Sequence, residues 1–279
     1  MPWRLAQVSA EIEHGLHGER LPEHIRELQA LERHAEAQEL LAVAARRPVP
    51  QALHALRCLE QEGLTWEANF LVGFAAARPP RDAARMAETL LGSENRSNEH
   101  LLKNFLSAMS RREPTVVAEA AQQLAIVDRA RGDGRLLWWE LLSVAGDRPV
   151  EDMADVIAAL GRTSLEQDGV RAVFSGNSCR RRDRCSKTAR LLRLLEDRGC
   201  TSQQETVIQE VVKPRIGIDQ VVGLVNALYE VRLRPLAKGL GPRAVRARGE
   251  ARWRDKLARA LRRAGLTAEA ELVRQAPLA

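Results

Sequence analysis

Proline recurs along this chain at a nearly constant interval, each time directly after a basic residue or one residue beyond it. The junctions are Arg47-Pro48, Arg78-Pro79, Arg112-Glu113-Pro114 and Arg148-Pro149, so the prolines lie 31, 35 and 35 residues apart. A fifth junction, Lys213-Pro214, follows 65 residues later, close to two further periods. Proline cannot donate the hydrogen bond that a helix interior requires, but it suits a first helical turn. The spacing therefore predicts helix ends at fixed intervals, which indicates an internal repeat.

The residues before each proline recur as well. A leucine lies eight residues before it, an apolar residue five before it and a small residue four before it. In that order they are Leu40, Leu71, Leu106 and Leu141; Val43, Phe74, Met109 and Val144; and Ala44, Ala75, Ser110 and Ala145. Residues three and four apart share one face of a helix, so each repeat is predicted to bury that face.

The hydrophobic pattern has the 3.6-residue period of helices almost everywhere, and the alternation typical of strands is missing. The fold class predicted is therefore all-α. Amphipathic helices are predicted over Gln51–Gln61, Ala83–Leu91, Val116–Arg129, Glu151–Leu160 and Thr188–Asp197. Helices this short bury little surface alone, so we expect them to pack against their sequence neighbours.

A second kind of junction contains glycine, an apolar residue and threonine in succession. Gly63-Leu64-Thr65-Trp66-Glu67-Ala68 and Gly265-Leu266-Thr267-Ala268-Glu269-Ala270 agree at five of six positions, and Gly199-Cys200-Thr201 is a looser copy. Glycine supplies the left-handed residue that ends many helices. We expect the threonine hydroxyl to cap the helix that follows. One repeat is thus a helix, a glycine turn, a second helix and a basic-proline turn.

This two-helix repeat, with a period of about 31–36 residues, resembles the tetratricopeptide and pentatricopeptide class of α-solenoids. The segment Ala260–Leu272 also resembles helical-repeat segments common in actinobacterial proteins. The resemblance covers about residues 20–232 and the C-terminal pair of helices. It implies a right-handed α-solenoid that acts as a binding scaffold and binds a protein or peptide along its concave face.

Four segments are predicted along the chain. Residues 1–18 are interpreted as an N-terminal capping helix and residues 19–232 as the repeat solenoid. Residues 233–250 contain Pro235, Gly239, Gly241, Pro242 and Gly249, so we interpret them as a linker or loop. A basic C-terminal pair of helices is predicted over residues 251–279.

Composition excludes several classes of protein. Hydrophobic residues make up 45% and charged residues 29% of the 279 positions, a globular balance that argues against disorder. The longest strictly apolar run, Phe70–Ala77, is too short to cross a bilayer. The first residues lack the regions of a signal peptide, so we expect a cytoplasmic protein that makes no contact with a membrane.

The sequence contains no recognisable catalytic or metal site. The four cysteines, Cys58, Cys179, Cys185 and Cys200, lack the two-residue spacing of structural zinc sites. We expect reduced thiols, with Cys58 on an apolar helix face. The arginines before Cys185 form a positive surrounding of the kind that can lower the pKa of a thiol. A glycine-rich phosphate loop, a Gly-x-Ser-x-Gly elbow and a His-Glu-x-x-His motif are all missing. The sequence therefore predicts no catalytic residue, cofactor or metal, and a non-enzymatic protein.

The net charge of +6 is unevenly distributed. Residues 232–263 contain twelve basic and two acidic residues, a local charge of +10, so the rest of the chain carries −4. Residues 180–193 contain seven basic residues against Asp183 alone. These clusters are interpreted either as solvated helix faces or as an electrostatic footprint for nucleic acid. Candidate contacts to nucleic acid are Arg180, Arg181, Arg182, Arg184, Lys187, Arg246, Arg248, Arg252, Trp253 and Arg254. Trp253 is either a base-stacking residue or the anchor of the last helix pair.

Three functions stay open, the third being a regulator in which this chain is only the sensor or adaptor for an enzymatic partner. The first is a scaffold or adaptor for a protein or peptide, in which specificity comes from exposed anchors on the repeats. Its candidate anchors are Trp66, Phe70, Phe105, Trp138 and Trp139, and the competing interpretation of each is ordinary core between repeats. The second is a nucleic-acid-binding repeat protein that uses the two basic clusters.

Overall fold

The computed structural model describes residues 18–92, 96–132, 134–175, 184–214 and 216–278. This part of the chain contains sixteen α-helices, a short 3₁₀ turn at Gly18–Arg20 and no strand, so the fold is all-α as predicted. The helices are α1 Leu21–Ala30, α2 His34–Arg46, α3 Val49–Gln61, α4 Thr65–Ala76, α5 Pro80–Leu91, α6 Arg96–Ser110, α7 Pro114–Arg131, α8 Leu137–Ala145, α9 Val150–Leu160, α10 Glu166–Ser175, α11 Arg184–Asp197, α12 Thr201–Val211, α13 Ile218–Glu230, α14 Arg234–Arg248, α15 Ala251–Arg263 and α16 Thr267–Gln275. The predicted capping helix of residues 1–18 lies outside the described residues except for Gly18.

The chain divides into two compact units, Met1–Leu141 and Leu142–Ala279. In the N-terminal unit each helix from α1 to α5 contacts its second neighbour along the chain: α1 contacts α3, α2 contacts α4, and so on to α5 and α7. In the C-terminal unit α9 contacts α11, α10 contacts α12, α11 contacts α13, α13 contacts α15, and α14 contacts α16. Within each unit, most helices therefore pack on their second neighbours, and they also pack on adjacent helices, as α5 does on α6 and α15 does on α16.

The prolines at the predicted junctions lie at helix starts. Pro48, Pro79 and Pro149 directly precede α3, α5 and α9, and Pro114 is the first residue of α7. Pro214 lies between α12 and α13. None of these prolines lies inside a continuous helix, which confirms the predicted helix boundaries.

Two of the three recurring positions before the prolines belong to the core. All four leucines and all four small residues are buried, as Leu71 and Ala75 illustrate. The apolar position between them lies at the edge of that face: Val43 and Val144 are half-buried and Phe74 is exposed, while Met109 alone is buried. The prediction that this position shares the buried face is therefore wrong for most repeats, because the contact surface of the helix is narrower than its apolar stripe.

Residues 233–250 are not a linker. They form α14, and the residues that suggested a loop have other roles. Pro235 lies in the first turn, where a missing N–H costs little, and Gly249 ends the helix with φ 71°. Gly241 faces α16 so closely that a Cβ there would lie 2.5 Å from Cγ2 of Val273. Pro242 is accommodated inside the helix, which tertiary contacts hold in place.

Within the described residues, the turn predicted at three glycines occurs five times. Glu32, Gly63, Gly199, Arg232 and Gly265 all have positive φ, from 58° to 80°. In each turn the next residue donates its N–H to a carbonyl five residues earlier, at 2.8–2.9 Å, which is the Schellman arrangement. Two of these turns escaped sequence inspection because glutamate and arginine replace the glycine.

Threonine does not cap the helices that follow these turns, contrary to expectation. The N-cap residues of α4, α12 and α16 are Leu64, Cys200 and Leu266, and no side chain caps them. The Schellman turn leaves one residue between the left-handed position and the helix, so the apolar residue takes the N-cap position. The threonine is then the first helical residue, one position too late to cap.

The third residue of each of these helices is polar and buried. Glu67, Gln203 and Glu269 occupy this position, and each makes a hydrogen bond to a helix of an earlier repeat. The respective partners are Gln29, Glu166 and Tyr229. The third residue of each of these helices therefore links it to an earlier helix through a satisfied buried polar contact.

Candidate functional site

Arginines at the basic-proline junctions connect consecutive repeats. Arg78 donates Nε–H to the carbonyl of Ala45 at 2.7 Å and Nη2–H to the carbonyl of Arg47. Arg112 donates Nη1–H to the carbonyls of Ala76, at 3.0 Å, and Arg78, at 2.6 Å. Each guanidinium thus satisfies carbonyls at the end of the helix two positions earlier in the chain.

The same arrangement occurs in the C-terminal unit. Arg248, at the end of α14, donates to the carbonyl of Pro214 at 2.6 Å and pairs with Glu250 at 3.0 Å. We call Arg78, Arg112 and Arg248 the junction arginines. Arg78 and Arg112 therefore clamp the fold at two of the basic-proline junctions, and Arg248 makes a similar contact at the end of a helix that no proline follows.

The predicted aromatic anchors fall into two groups. Phe105 is completely buried in α6 and Trp138 is 9% exposed, so the prediction that these two side chains contact a partner is wrong; both belong to the core. Trp139 is half-buried and packs edge-on against Trp138, with ring centroids 5.6 Å apart. Trp66 is 59% exposed and Phe70 half-buried, so the structure leaves both accessible.

An aromatic stripe runs along the exposed face of α4. It consists of Trp66, Phe70 and Phe74, spaced four residues apart and therefore on one side of the helix. The ring centroids of Trp66 and Phe70 are 4.4 Å apart, and those of Phe70 and Phe74 are 6.1 Å apart. Neighbouring exposed aromatic rings of this kind mark interaction sites more often than isolated apolar side chains do.

Gly73 lies on the same side of α4 as the aromatic stripe. It is exposed, and a Cβ built on it would meet nothing within 4 Å. Glycine in a helix interior lowers stability by about 1 kcal/mol relative to alanine. No packing within the described residues accounts for this glycine, whereas the close approach of another chain to α4 would.

The aromatic stripe leads into a groove between the ends of α2 and α4 and the starts of α3 and α5, with a cavity volume of about 1050 Å³. We call it the junction groove. Phe74 belongs to both features. The apolar part of the lining is Ala42, Pro48, Val49, Pro50, Phe74, Ala77 and Pro79, and the polar part is Arg46, Arg47, Arg78, Asp82, Arg85, Glu88 and Thr89.

The junction groove carries more positive than negative charge, because four arginines and two carboxylates line it. Arg78 is engaged with the carbonyls of the preceding helix end, and burial lowers the pKa of its guanidinium although Asp82 opposes that shift. Arg46 and Arg85 are exposed. A smaller groove of about 310 Å³ lies beside Pro149 in the C-terminal unit.

The residues predicted to contact nucleic acid differ in burial and in the contacts that they make within the fold. Arg180, Arg181 and Arg182 lie outside the described residues. Trp253 is 8% exposed and buried in α15, so the prediction that it stacks on a base is wrong and its ring belongs to the core. Arg248 is engaged as a junction arginine.

The remaining predicted contacts are partly accessible. Lys187, Arg246 and Arg252 are exposed, and Arg184 is half-buried. Arg254 is half-buried beside Asp255, with Nε 3.8 Å from its carboxylate. The structure does not bring these residues together as one cluster on a single helix.

Helix α15 has a regular basic surface that differs from the set of contacts predicted from the sequence. Arg252, Lys256, Arg259 and Arg263 are exposed and lie four, three and four residues apart, so they form one stripe. This α15 stripe extends over about 16 Å, at 1.5 Å per residue. The spacing of basic residues in the sequence could have revealed it.

Other chemistry is sparse in the described part of the chain. Cys58, Cys185 and Cys200 are free thiols, and Cys58 is buried as predicted. Burial raises the pKa of the Cys185 thiol, although Arg184 opposes that shift. Within the described ranges, no group of three His, Cys, Asp or Glu side chains could hold a metal ion. No described helix is both long and apolar enough to cross a membrane.

Comparison with protein-family models, curated proteins and solved structures yields no match to this chain. Candidate binding surfaces of the protein are the aromatic stripe, the junction groove and the α15 stripe. Among them, the aromatic stripe and the junction groove combine accessible apolar area, charge and concavity.

Proposed function

We propose that this protein is a non-enzymatic scaffold or adaptor that binds a segment of another protein on α4 and the junction groove. We further propose that its helix pairs stack as an α-solenoid of the tetratricopeptide-like type. The second-neighbour helix contacts within each unit support this arrangement, as does the clamping by the junction arginines. The free thiols support a reducing compartment such as the cytoplasm.

The observation that carries the proposal is the exposure of the aromatic stripe next to a groove. Phe105 is completely buried and Trp138 nearly so, whereas Trp66 is 59% exposed. Tryptophan and phenylalanine are among the side chains that contribute most to binding when a partner covers them. An open helical surface of this kind suits a helical or extended segment of a partner.

The test is a selection of peptides from a random library against the full chain, followed by fluorescence-anisotropy titration. We expect selected peptides to bind the double variant Trp66→Ala/Phe74→Ala about thirtyfold more weakly than the original chain. Ile126→Ala is the matched control, because Ile126 is 56% exposed on α7 and belongs to neither surface. Gly73→Gln blocks the stripe without a packing cost and is expected to weaken binding while keeping the helix intact. The proposal is refuted if neither Trp66→Ala/Phe74→Ala nor Gly73→Gln reduces the affinity of the selected peptides. It is also refuted if the selection yields no binding peptide.

A second candidate function is sequence-independent binding of nucleic acid by the α15 stripe. Its support is the placement of four exposed basic side chains on one helix face. Because Trp253 is buried, such binding would depend on phosphate contacts without stacking on that ring.

Titration of a fluorescent single-stranded oligonucleotide against ionic strength tests this candidate. Four phosphate contacts predict a slope of about −3 in log affinity against log salt concentration. Replacing all four stripe residues with glutamine is expected to abolish binding, while the same change at exposed Arg57 and Arg81 leaves it unaltered. A flat titration at low salt excludes this function.

A further inference from the structure

The α4 surface has two chemically different ends. At the start of the helix are the rings of Trp66 and Phe70, and at its end Phe74 meets the junction groove and its guanidinium groups. We propose that the partner segment bound on α4 and the junction groove is acidic at one end and apolar at the other, an inference that rests on the proposed function. Its carboxylates lie in the junction groove, and its apolar side chains cover the aromatic stripe.

Charge complementarity favours carboxylates as the occupants of the junction groove. The side chains of Arg46 and Arg85 are exposed and make no hydrogen bond or ion pair with any residue that the structure describes. A guanidinium that is not already engaged can donate two parallel hydrogen bonds to a carboxylate. The groove therefore presents cationic donors that the fold itself does not use.

The negative groups of the groove do not cancel this charge. Asp82 lies in the first turn of α5, where a carboxylate interacts favourably with the helix dipole, and Glu88 lies near the end of α5. The first turn of α3, on the other side, contains no acidic residue. Two carboxylates against four guanidinium groups leave the groove positive.

The geometry also sets the order and spacing of the two ends. Trp66 and Phe74 are eight residues apart on α4, which corresponds to about 12 Å along the helix. An extended peptide advances about 3.3 Å per residue, so roughly four residues cover the stripe. Gly73, on the same side of α4 as the stripe, leaves the helix backbone open to close approach by the bound chain. The acidic and apolar ends are therefore expected to be adjacent blocks rather than interleaved.

The experiment uses the full chain and three fluorescein-labelled peptides of twelve residues. The first has four glutamates at one end and tryptophan and leucine at the other; the second has glutamines in place of the glutamates, and the third has lysines. We expect the glutamate peptide to bind about tenfold more tightly than the glutamine peptide at low salt, with the difference shrinking as salt screens the charges. The lysine peptide is expected to bind most weakly.

Charge reversal locates the effect in the groove. In Arg46→Glu/Arg85→Glu the preference for glutamate is expected to vanish, while Phe74→Ala weakens the glutamate and glutamine peptides alike. Arg57→Glu/Arg81→Glu is the matched control, because it reverses the charge of two exposed arginines that lie outside the groove lining. Circular dichroism of each variant establishes that it is folded.

Three results would overturn the inference. If glutamate and glutamine peptides bind equally and both need Phe74, the acidic preference is wrong and the proposed function stands. If none of the three peptides binds although library-selected peptides do, the chemistry of the partner is wrong. If an oligonucleotide displaces the glutamate peptide in a manner that depends on Arg46 and Arg85, the groove is a polyanion site instead.

Discussion

Removal of the Arg78 side chain tests the idea that junction arginines hold the repeats together. Arg78→Ala deletes two hydrogen bonds from a charged donor to the carbonyls of Ala45 and Arg47. Hydrogen bonds of this type contribute about 1.5–3 kcal/mol each in net terms. Arg47 is half-buried, so water can replace the bond to its carbonyl, whereas Ala45 is buried. We therefore expect a total loss of about 2–3 kcal/mol in the free energy of unfolding.

Urea denaturation followed by circular dichroism measures this loss. With an m-value of about 2 kcal/mol per M urea, the midpoint of the transition of the N-terminal unit should fall by about 1 M. Arg81→Ala is the matched control, because Arg81 is exposed and nearby, and it should change stability by no more than about 0.5 kcal/mol. Arg112→Ala, at the next junction, should lower the free energy of unfolding by at least as much as Arg78→Ala, because Arg112 also donates to two backbone carbonyls.

Arg78→Lys separates charge from hydrogen-bond geometry. Lysine keeps the positive charge but cannot place two donors in the planar arrangement of a guanidinium, so about half of the loss should remain. The clamp hypothesis fails if Arg78→Ala and Arg81→Ala shift the urea midpoint equally.

Three further predictions concern the C-terminal unit. Gly241→Ala should lower the free energy of unfolding by about 1–3 kcal/mol in urea denaturation, because the new Cβ would lie 2.5 Å from Cγ2 of Val273. Arg232→Gly should raise it by about 1 kcal/mol, because glycine relieves the left-handed conformation at φ 63°. Burial and the hydrogen bond and charge of Glu269 raise the pKa of Tyr229 to about 12. Absorbance at 295 nm should therefore show its ionisation near pH 12, and the stability that this shift provides, complete below pH 10, should be lost as pH rises through 12.

Each of these predictions has a control within the chain. Gly73→Ala should stabilise the protein where Gly241→Ala destabilises it, since nothing lies near Gly73. Gly63→Ala should lower stability at a turn equivalent to that of Arg232, because Gly63 has φ 73°. Tyr229 is the single tyrosine of the sequence, so the absorbance change belongs to it alone, and a midpoint near pH 10 would contradict its contact with Glu269.

Helix ends that depend on local chemistry are predictable from this sequence. Pro48 and Pro79 start helices because proline lacks an N–H, and Gly63 and Gly265 end them because glycine adopts positive φ at little cost. Arg232 makes the same turn without any such signal. The surrounding helices hold it in a conformation that its own preferences disfavour, and that force comes from packing.

In the candidate site, too, some features follow from the local sequence and others depend on packing. Trp66 and Phe105 look equivalent in the sequence as large apolar residues of predicted helices, yet one is exposed and the other completely buried. Arg78 and Arg85 are likewise indistinguishable by type, and only the position of the preceding helix end decides that Arg78 is engaged within the fold. The α15 stripe, in contrast, follows from helical spacing alone.

The sequence by itself determined that this protein is a chain of helices with regularly spaced junctions, because proline and glycine act on the backbone within a few residues. Tertiary structure decided that residues 234–248 are helical, where Gly241 permits contact with Val273 and offsets the effect of Pro242. It also decided which aromatic rings and which arginines face outward. Burial depends on neighbours about one repeat away, and residue type alone does not reveal which of two aromatic rings or which of two arginines those neighbours cover.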